Sequence, residues 1–458
     1  MMSALTLPVI AERVGAAYTG SALAVSGVAI DSRAIGRGDL FVALPGERVD
    51  GHDYIDAAIA NGAVAALVER PVDASIPCLL VSSCLSALSE LGRASRDLSQ
   101  SIVVAITGSC GKTTVKNLCR SIFSQAGATV ATSGNYNNEI GVPLTLSRIE
   151  DQTRYAIVEM GATRRGDIAH LCALARPSIT TVLNAMEAHL EGFGSVADVA
   201  DIKAEIYDGL GSDGFAVLNL DQPWVDLWRE RVAKAGAASV TYSLASGGDI
   251  TISDLTDHGL KGSDFVLHMG GESRGVSFPL PGRHNVSNAL AAAALARASG
   301  LSLGQIVAGL ELAESEPGRL QAEQLGSGKV LIDDSYNANP GSVRAAIDLL
   351  VGTQGRSLLV LGEMLELGEE SPQRHAEMGA LAKERGISQF VGIGDALKPA
   401  VDAFGASGHW YPSREAVTPD LPVLLEHSDT VLVKGSRGAA MESVLAELRG
   451  LASEGRSC

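Results

Sequence analysis

Eight residues constrain this chain more than any others: Thr107-Gly108-Ser109-Cys110-Gly111-Lys112-Thr113-Thr114. They follow a short β-branched run, SIVVAI at 101–106, and open a helical stretch that starts at Lys112. A strand that turns through glycines straight into a helix aims backbone amides and the positive helix end at one point. That point suits phosphate. Lys112 neutralises phosphate charge there, and the Thr113 hydroxyl suits Mg²⁺. Thr107, Gly108, Ser109, Cys110, Gly111 and Thr114 complete the expected nucleotide loop. Gly-Lys-Thr alone signals little. Strand, glycine loop and helix together predict a nucleotide site in an α/β fold.

The flanking sequence fits such a fold. RYAIVEMG (154–161), SITTVLNA (178–185) and GFAVLNLD (214–221) read as buried strands alternating with helices, as in parallel α/β units. HNVSNALAAAALARASG (284–300) reads as a helix closed by Gly300. A further block starts near Glu316-Pro317-Gly318. There KVLIDDSY (329–336), RSLLVLGEM (356–364), SQFVGIGD (388–395) and DTVLVKGS (429–436) form a second doubly wound pattern. Residues 1–98 carry short apolar runs broken by Gly, Pro and Asp, the mark of a small α/β domain. The chain of 458 residues therefore divides into 1–98, 99–315 and 316–458.

Charge narrows the partners. There are 36 basic and 53 acidic residues, a net charge of -17. Such a chain repels nucleic acid and anionic membranes. An anionic substrate must be met by local cations or metal ions. No apolar run is long enough for a membrane span, and the first residues lack the basic start of a signal peptide. The six cysteines form neither CxxC pairs nor a zinc spacing, so buried thiols in a reducing cytoplasm are expected.

Other segments carry potential chemistry. Glu159 ends a strand, where ligands of open parallel sheets gather. His189 follows another strand end. Lys203, in VADIKAEIYDGL, reads on its own chemistry as a solvated helix lysine. SGNYNNEIGVPLTL (133–146), with Asn137 and Asn138, reads alone as a polar loop. Asp31-Ser32-Arg33 reads alone as a turn.

Taken in order, these phrases resemble the Mur ligase superfamily, which includes the folylpolyglutamate synthases. The likeness runs from about Asp31 to Glu442. It rests on the glycine loop, NNEIGVP, HLEGFGS, His284-Asn285-x-x-Asn288, Pro317-Gly318-Arg319-Leu320, DDSYNANP, GEMLELG and LVKGSRGAAME. The resemblance implies an α/β protein of three domains: a small N-terminal UDP-sugar domain, a central phosphate-loop ATPase domain with a parallel sheet, and a C-terminal Rossmann-like domain. It implies two Mg²⁺ ions. One is held by Thr113 and the phosphates, the other by Glu159, His189 and Lys203 carrying a CO₂-derived carbamate. Such a carbamate needs a neutral amine and hence a depressed pKa.

By the same likeness Asn288 approaches adenine, Asp334 the ribose, and Tyr336 and Asn337 line the nucleotide pocket. Arg319 reaches the γ-phosphate on closure. Ser32, Arg33, Asn137, Asn138, Lys434 and Arg437 meet the other substrates, with Ser436 beside them. Lys112, Lys203, His189 and Arg319 form the implied catalytic set. The implied activity is ATP-dependent joining of D-alanyl-D-alanine to UDP-N-acetylmuramoyl-tripeptide through an acyl phosphate, for peptidoglycan synthesis, by a cytoplasmic monomer.

Two other readings stay open: an amide ligase adding a single amino acid, and a non-catalytic nucleotide-sugar binder on the same scaffold. Three positions depart from the family pattern. Cys110 stands where Asn or Ser is usual, Glu187 adds a carboxylate, and Glu363 replaces Asp.

Overall fold

Each third of the chain builds its own sheet in the computed structural model, which describes residues 4–46, 49–187, 193–325 and 328–454. The first sheet has four parallel strands in chain order: Val28–Ala29, Leu40–Val42, Ala65–Val68 and Cys78–Leu80. The second has nine strands. Seven are linked in parallel, in the order Thr129–Ala131, Tyr155–Glu159, Ile102–Thr107, Ile179–Val182, Phe215–Asn219, Ala238–Tyr242 and Ile250–Asp257. The third has six, with Thr430–Lys434 between Val330–Asp334 and Ser357–Gly362.

The central sheet corrects one expectation. It is not wholly parallel, because Ser263–Met269 and Glu272–Phe278 add an antiparallel edge. Buried and exposed positions alternate along Ser263–Met269, so only one face needs apolar residues. No continuous apolar run marks that strand in the sequence.

Strand order places the site. Ile102–Thr107 lies between Tyr155–Glu159 and Ile179–Val182, and Ile106 pairs in register with Glu159. The glycine loop and the Glu159 carboxylate thus leave the same end of adjacent strands. The helix Lys112–Ser124 packs on Arg283–Ala298, whose alanines are nearly all buried. Small side chains suit such a helix, enclosed on all sides.

The outer domains attach differently. The helix Cys84–Leu98 lies against Gly141–Ser147, and Leu88, Leu91, Val142 and Leu146 share one apolar core. A Cβ at Gly92 would fall 2.8 Å from Pro143 Cα, so glycine permits this approach. The C-terminal sheet keeps two cores of its own. Ile332, Leu359, Leu361 and Leu432 fill one face, and Leu331, Leu358, Val360, Val431 and Val433 the other. Among the described residues no helix is long and apolar enough to cross a membrane.

Candidate active site

The glycine loop forms the floor of a cleft of about 1180 Å³ between the central and C-terminal domains. Gly111 caps the helix Lys112–Ser124 with φ at +83°, a left-handed conformation that favours glycine. A Cβ there would lie 2.6 Å from Asn288 Oδ1. Asn288 therefore sits against the phosphate loop.

A strap at 184–186 fixes the loop from beneath. Ser109 N donates to Asn184 O at 3.1 Å, and Cys110 N to Asn184 Oδ1 at 2.9 Å. Asn184 Nδ2 returns a bond to Cys110 O, and Met186 N donates to Ser109 Oγ at 3.0 Å. These amides hold the loop. Anion binding falls to the first-turn amides of the helix, which have no acceptor within it. Lys112 Nζ donates to Gly108 O at 2.8 Å, and burial lowers its pKa despite Glu159 nearby.

Glu159 is 1% exposed. Its Oε1 accepts from Asn137 Nδ2 at 2.8 Å, whereas its Oε2 has no partner among the described residues. An orphaned carboxylate oxygen in a polar cleft calls for a cation. Lys203 lines the same cleft, equally buried, its ammonium 5.8 Å from the Phe193 ring centre. Burial, with Lys112 adding repulsion, depresses its pKa to about 7. The solvated helix lysine that the segment alone predicts is thus absent. The helix ends at Lys203 and the next, Glu205–Asp208, starts afresh. His189 lies outside the described residues. Among those described, no three His, Cys, Asp or Glu side chains are grouped so as to hold a metal ion by themselves. A cation beside Glu159 would share its coordination with substrate oxygens or with a modified Lys203.

From the domain junction Arg319 reaches in. One guanidinium nitrogen donates to Thr113 Oγ1 at 3.0 Å, and the group lies 4.2 Å over the Tyr336 ring. Tyr336 and Asn337 also line the cleft, as do Thr114 and Asn288.

Of the other expected residues, Asn138, Asp334, Lys434 and Arg437 line the cleft, whereas Thr107, Ser32, Arg33 and Ser436 do not. Thr107 is fully buried at its strand end and does not line the cleft, because strand alternation turns it inward. Asp334 and Lys434 form a buried pair at 2.6 Å, and Lys434 also donates to Asn337 O. Asp334's other oxygen accepts from Leu320 N. The two tie neighbouring strand ends together and both line the cleft, so a ribose or anion there would meet them already paired. Ser436 Oγ bridges Ala338 O and Leu365 N. Arg437 is paired with Glu442. Asn138 caps the following turn through Gly141 N and Ile140 N. Ser32 is buried and Arg33 is bound to Asp31, and neither lines this cleft.

Residues that sequence reasoning missed complete the lining. Leu85, Ser86 and Ser89 contribute from the start of Cys84–Leu98, and Arg164 and Arg165 from the turn after Glu159. Their signals were a serine-capped helix start and a double arginine past a strand end.

The three departures acquire partners. Cys110 Sγ meets Asn339, 3.1 Å from Nδ2, across the cleft. Asn339 in turn caps the helix Pro340–Val351. Glu363 Oε1 accepts from Ala396 N at 3.0 Å, so it staples a loop of its own domain. Glu187 pairs with Arg374 at 3.0 Å.

A phosphate loop at the sheet's switch point, roofed by a second doubly wound domain, is the frame of a nucleotide-dependent enzyme acting on a second, anionic substrate. The chain belongs to the Mur ligase family. Residues 24–93 match the model described as Mur ligase family, catalytic domain, 106–296 the Mur ligase middle domain, and 318–437 the Mur ligase, glutamate ligase domain.

The UDP-N-acetylmuramoyl-tripeptide–D-alanyl-D-alanine ligase of Escherichia coli (strain K12) is 41% identical over 98% of this chain and 99% of its own. That of Mycobacterium tuberculosis (strain H37Rv) is 35% identical over 97% of each. A crystal structure of MurF from Acinetobacter baumannii superposes with a TM-score of 0.89 at 33% identity, covering 97% of this chain and 98% of the other. MurF from Thermotoga maritima, solved with ADP, gives 0.77 at 28%, covering 93% and 98%. A folylpolyglutamate synthase of Mycobacterium tuberculosis shares the fold at 18% identity but covers 79% of this chain.

Proposed function

We propose that this chain is an ATP-dependent amide ligase that joins D-alanyl-D-alanine to UDP-N-acetylmuramoyl-tripeptide, giving the pentapeptide, ADP and phosphate. The observation that carries this reading is identity of 41% over nearly the full length of a relative with that name, N-terminal domain included.

The chemistry requires a carboxylate to approach a triphosphate, two anions that repel. The tripeptide's terminal carboxylate attacks the γ-phosphorus, the bond to the β-phosphate oxygen breaks, and ADP leaves. The dipeptide amine then attacks the acyl phosphate, a tetrahedral centre forms, and its collapse expels phosphate. Lys112, the helix-start amides and Arg319 meet the phosphates. Arg319 spreads its charge where negative charge builds during transfer. The C-terminal domain covers the cleft and keeps water from the acyl phosphate. The cleft binds substrate within reach of the N-terminal domain through Leu85, Ser86 and Ser89.

Mg²⁺ fits the orphaned Glu159 oxygen and the Thr113 hydroxyl, and when bound supplies screening of phosphate charge. Lys203, with a pKa of about 7, is about half neutral at neutral pH, the form that takes up CO₂. A carbamate there would add a second anionic oxygen ligand beside Glu159 for the same cation, with His189 the third ligand by resemblance. The reading also places the enzyme in the cytoplasm, as a monomer, where its nucleotide substrates are made.

The test is phosphate release by purified protein given ATP, Mg²⁺ and UDP-N-acetylmuramoyl-tripeptide, with and without D-alanyl-D-alanine. Release that requires both, with pentapeptide seen by mass, is the expected result. Release that requires a different amine would move the chain elsewhere in the family. Absence of turnover despite UDP-sugar binding would favour a non-catalytic binder.

A further inference from the structure

We infer that Glu187 and Arg374 form a cross-domain latch that positions the phosphate loop when the C-terminal domain closes. The inference rests on the ligase reading for its meaning, though not for its measurement.

Arg374 stands on the C-terminal helix Ser371–Glu384, and Glu187 directly follows the strap under the phosphate loop. Their side chains meet at 3.0 Å, 21% and 29% exposed. Part burial and direct contact make this pair stronger than a fully solvated one. The same guanidinium also binds Glu370, the residue that caps its own helix, at 2.9 Å and Glu377 within that helix at 3.0 Å. One cation therefore serves three carboxylates. Its own helix fixes its direction before Glu187 arrives, so little side-chain entropy is lost on docking.

The other end of the latch reaches the reacting centre. Asn184 binds Ser109 and Cys110, and Met186 exchanges two hydrogen bonds with Ser109 Oγ. Glu187 is the next residue. Holding Glu187 from the C-terminal domain thus fixes the strap that fixes the loop. A second contact works in the same direction, since Cys110 Sγ touches Asn339 from that domain. A Cβ on Gly341 would come 2.8 Å from Met186 Sδ, so the domains also meet sterically at the strap. Glu187 and Arg374 are positioning residues in this account. Neither lines the cleft.

The asymmetry of the cluster gives a sharp test. Glu187→Gln removes one of three anions and leaves Arg374 paired within its helix. Arg374→Gln leaves Glu187 facing Glu370 and Glu377 with no cation between them, so the closed form is repelled as well as unlatched. Glu370→Gln removes a pair inside the C-terminal domain and serves as the control.

Affinity for a non-hydrolysable ATP analogue with Mg²⁺, measured by calorimetry, reads the latch without turnover. We expect Glu187→Gln to weaken it about 3- to 10-fold, within the range of partly buried ion pairs. Arg374→Gln should weaken it further, and the double variant, which also removes the stranded Glu187 charge, should recover to the level of Glu187→Gln alone. UDP-substrate affinity should stay unchanged, kcat should fall in both single variants, and Glu370→Gln should bind the analogue as wild type does. Should Arg374→Gln fail to fold, Glu187→Gln and the control still decide. Unchanged analogue affinity in Glu187→Gln, or additive losses in the double variant, would overturn the latch. A wild type that binds the analogue but never turns over with D-alanyl-D-alanine would instead sink the ligase reading and leave the latch standing.

Discussion

Lys203 shows how little a residue's type settles its state. Its segment alone reads as a solvated helix, yet the side chain is buried and its pKa falls to about 7. The sign of the consequence follows from proton counts. Between about pH 7 and the pKa of a free lysine, near 10.4, the unfolded chain holds a proton here that the folded chain does not. This residue's penalty is therefore full below about pH 7 and shrinks as pH rises. In CO₂-free buffer Lys203→Met should be more stable than wild type at pH 6.5 by urea unfolding, with a smaller margin at pH 9. A margin that grows with pH would contradict the buried neutral amine. The same variant should lose ligase activity by at least about a hundredfold, the scale of losing one transition-state charge partner. Lys203→Ala with full activity that needs no rescue by added short carboxylates would rule out the carbamate.

Cys110 lends itself to a gentler experiment. Its amide and carbonyl, not its thiol, hold the strap. Cys110→Ser should keep turnover within about threefold, since a single modest contact to Asn339 is altered. A larger loss would mean the thiol acts on the nucleotide itself.

At the scale of elements, the phosphate strand–loop–helix is the part most legible in the sequence, because each of its steps is a local constraint. A β-branched run at 101–106 becomes Ile102–Thr107, and a helix expected from Lys112 starts there. The C-terminal strands follow suit: KVLIDDSY contains Val330–Asp334 and DTVLVKGS contains Thr430–Lys434. What stays illegible is long-range pairing. Nothing local to Asp334 announces that Lys434, on a neighbouring strand, occupies it. The antiparallel edge at 263–278 hides for a related reason, since its apolar residues lie on one face only. Family likeness singled out Lys203, which its own segment reads as solvated, whereas Glu159's place at a strand end already pointed to a ligand.

The loop's own glycine gives the element-scale test. Gly111→Ala combines a left-handed backbone, costing about 1–2 kcal/mol for a residue with Cβ, with a contact of 2.6 Å to Asn288. ATP-analogue affinity should fall at least about tenfold while UDP-substrate binding persists. Equal loss of both ligands would mean the substitution disrupts the domain and not the loop.

The whole molecule joins its parts unequally. The N-terminal domain and one face of the central sheet share an apolar core, from Leu88 and Leu91 through Val142 and Leu146 to Ala156 and Val158. The C-terminal domain builds two cores of its own, with Leu260 of the centre packed against one, and otherwise meets the centre mainly through polar contacts: Arg319 to Thr113, Cys110 to Asn339, Glu187 to Arg374. Apolar continuity couples unfolding, and polar contacts at a cleft couple it weakly. Calorimetry should therefore resolve two transitions, one for the first two domains together and one for the C-terminal domain. On the proposed reading nucleotide binds between the two units, so an ATP analogue with Mg²⁺ should raise both transitions by linkage. A rise confined to the central unit would mean the C-terminal domain does not grip the nucleotide, and would remove Arg319 and Tyr336 from its site. A single transition without ligand would show that the polar contacts already bind the domains as firmly as a shared core.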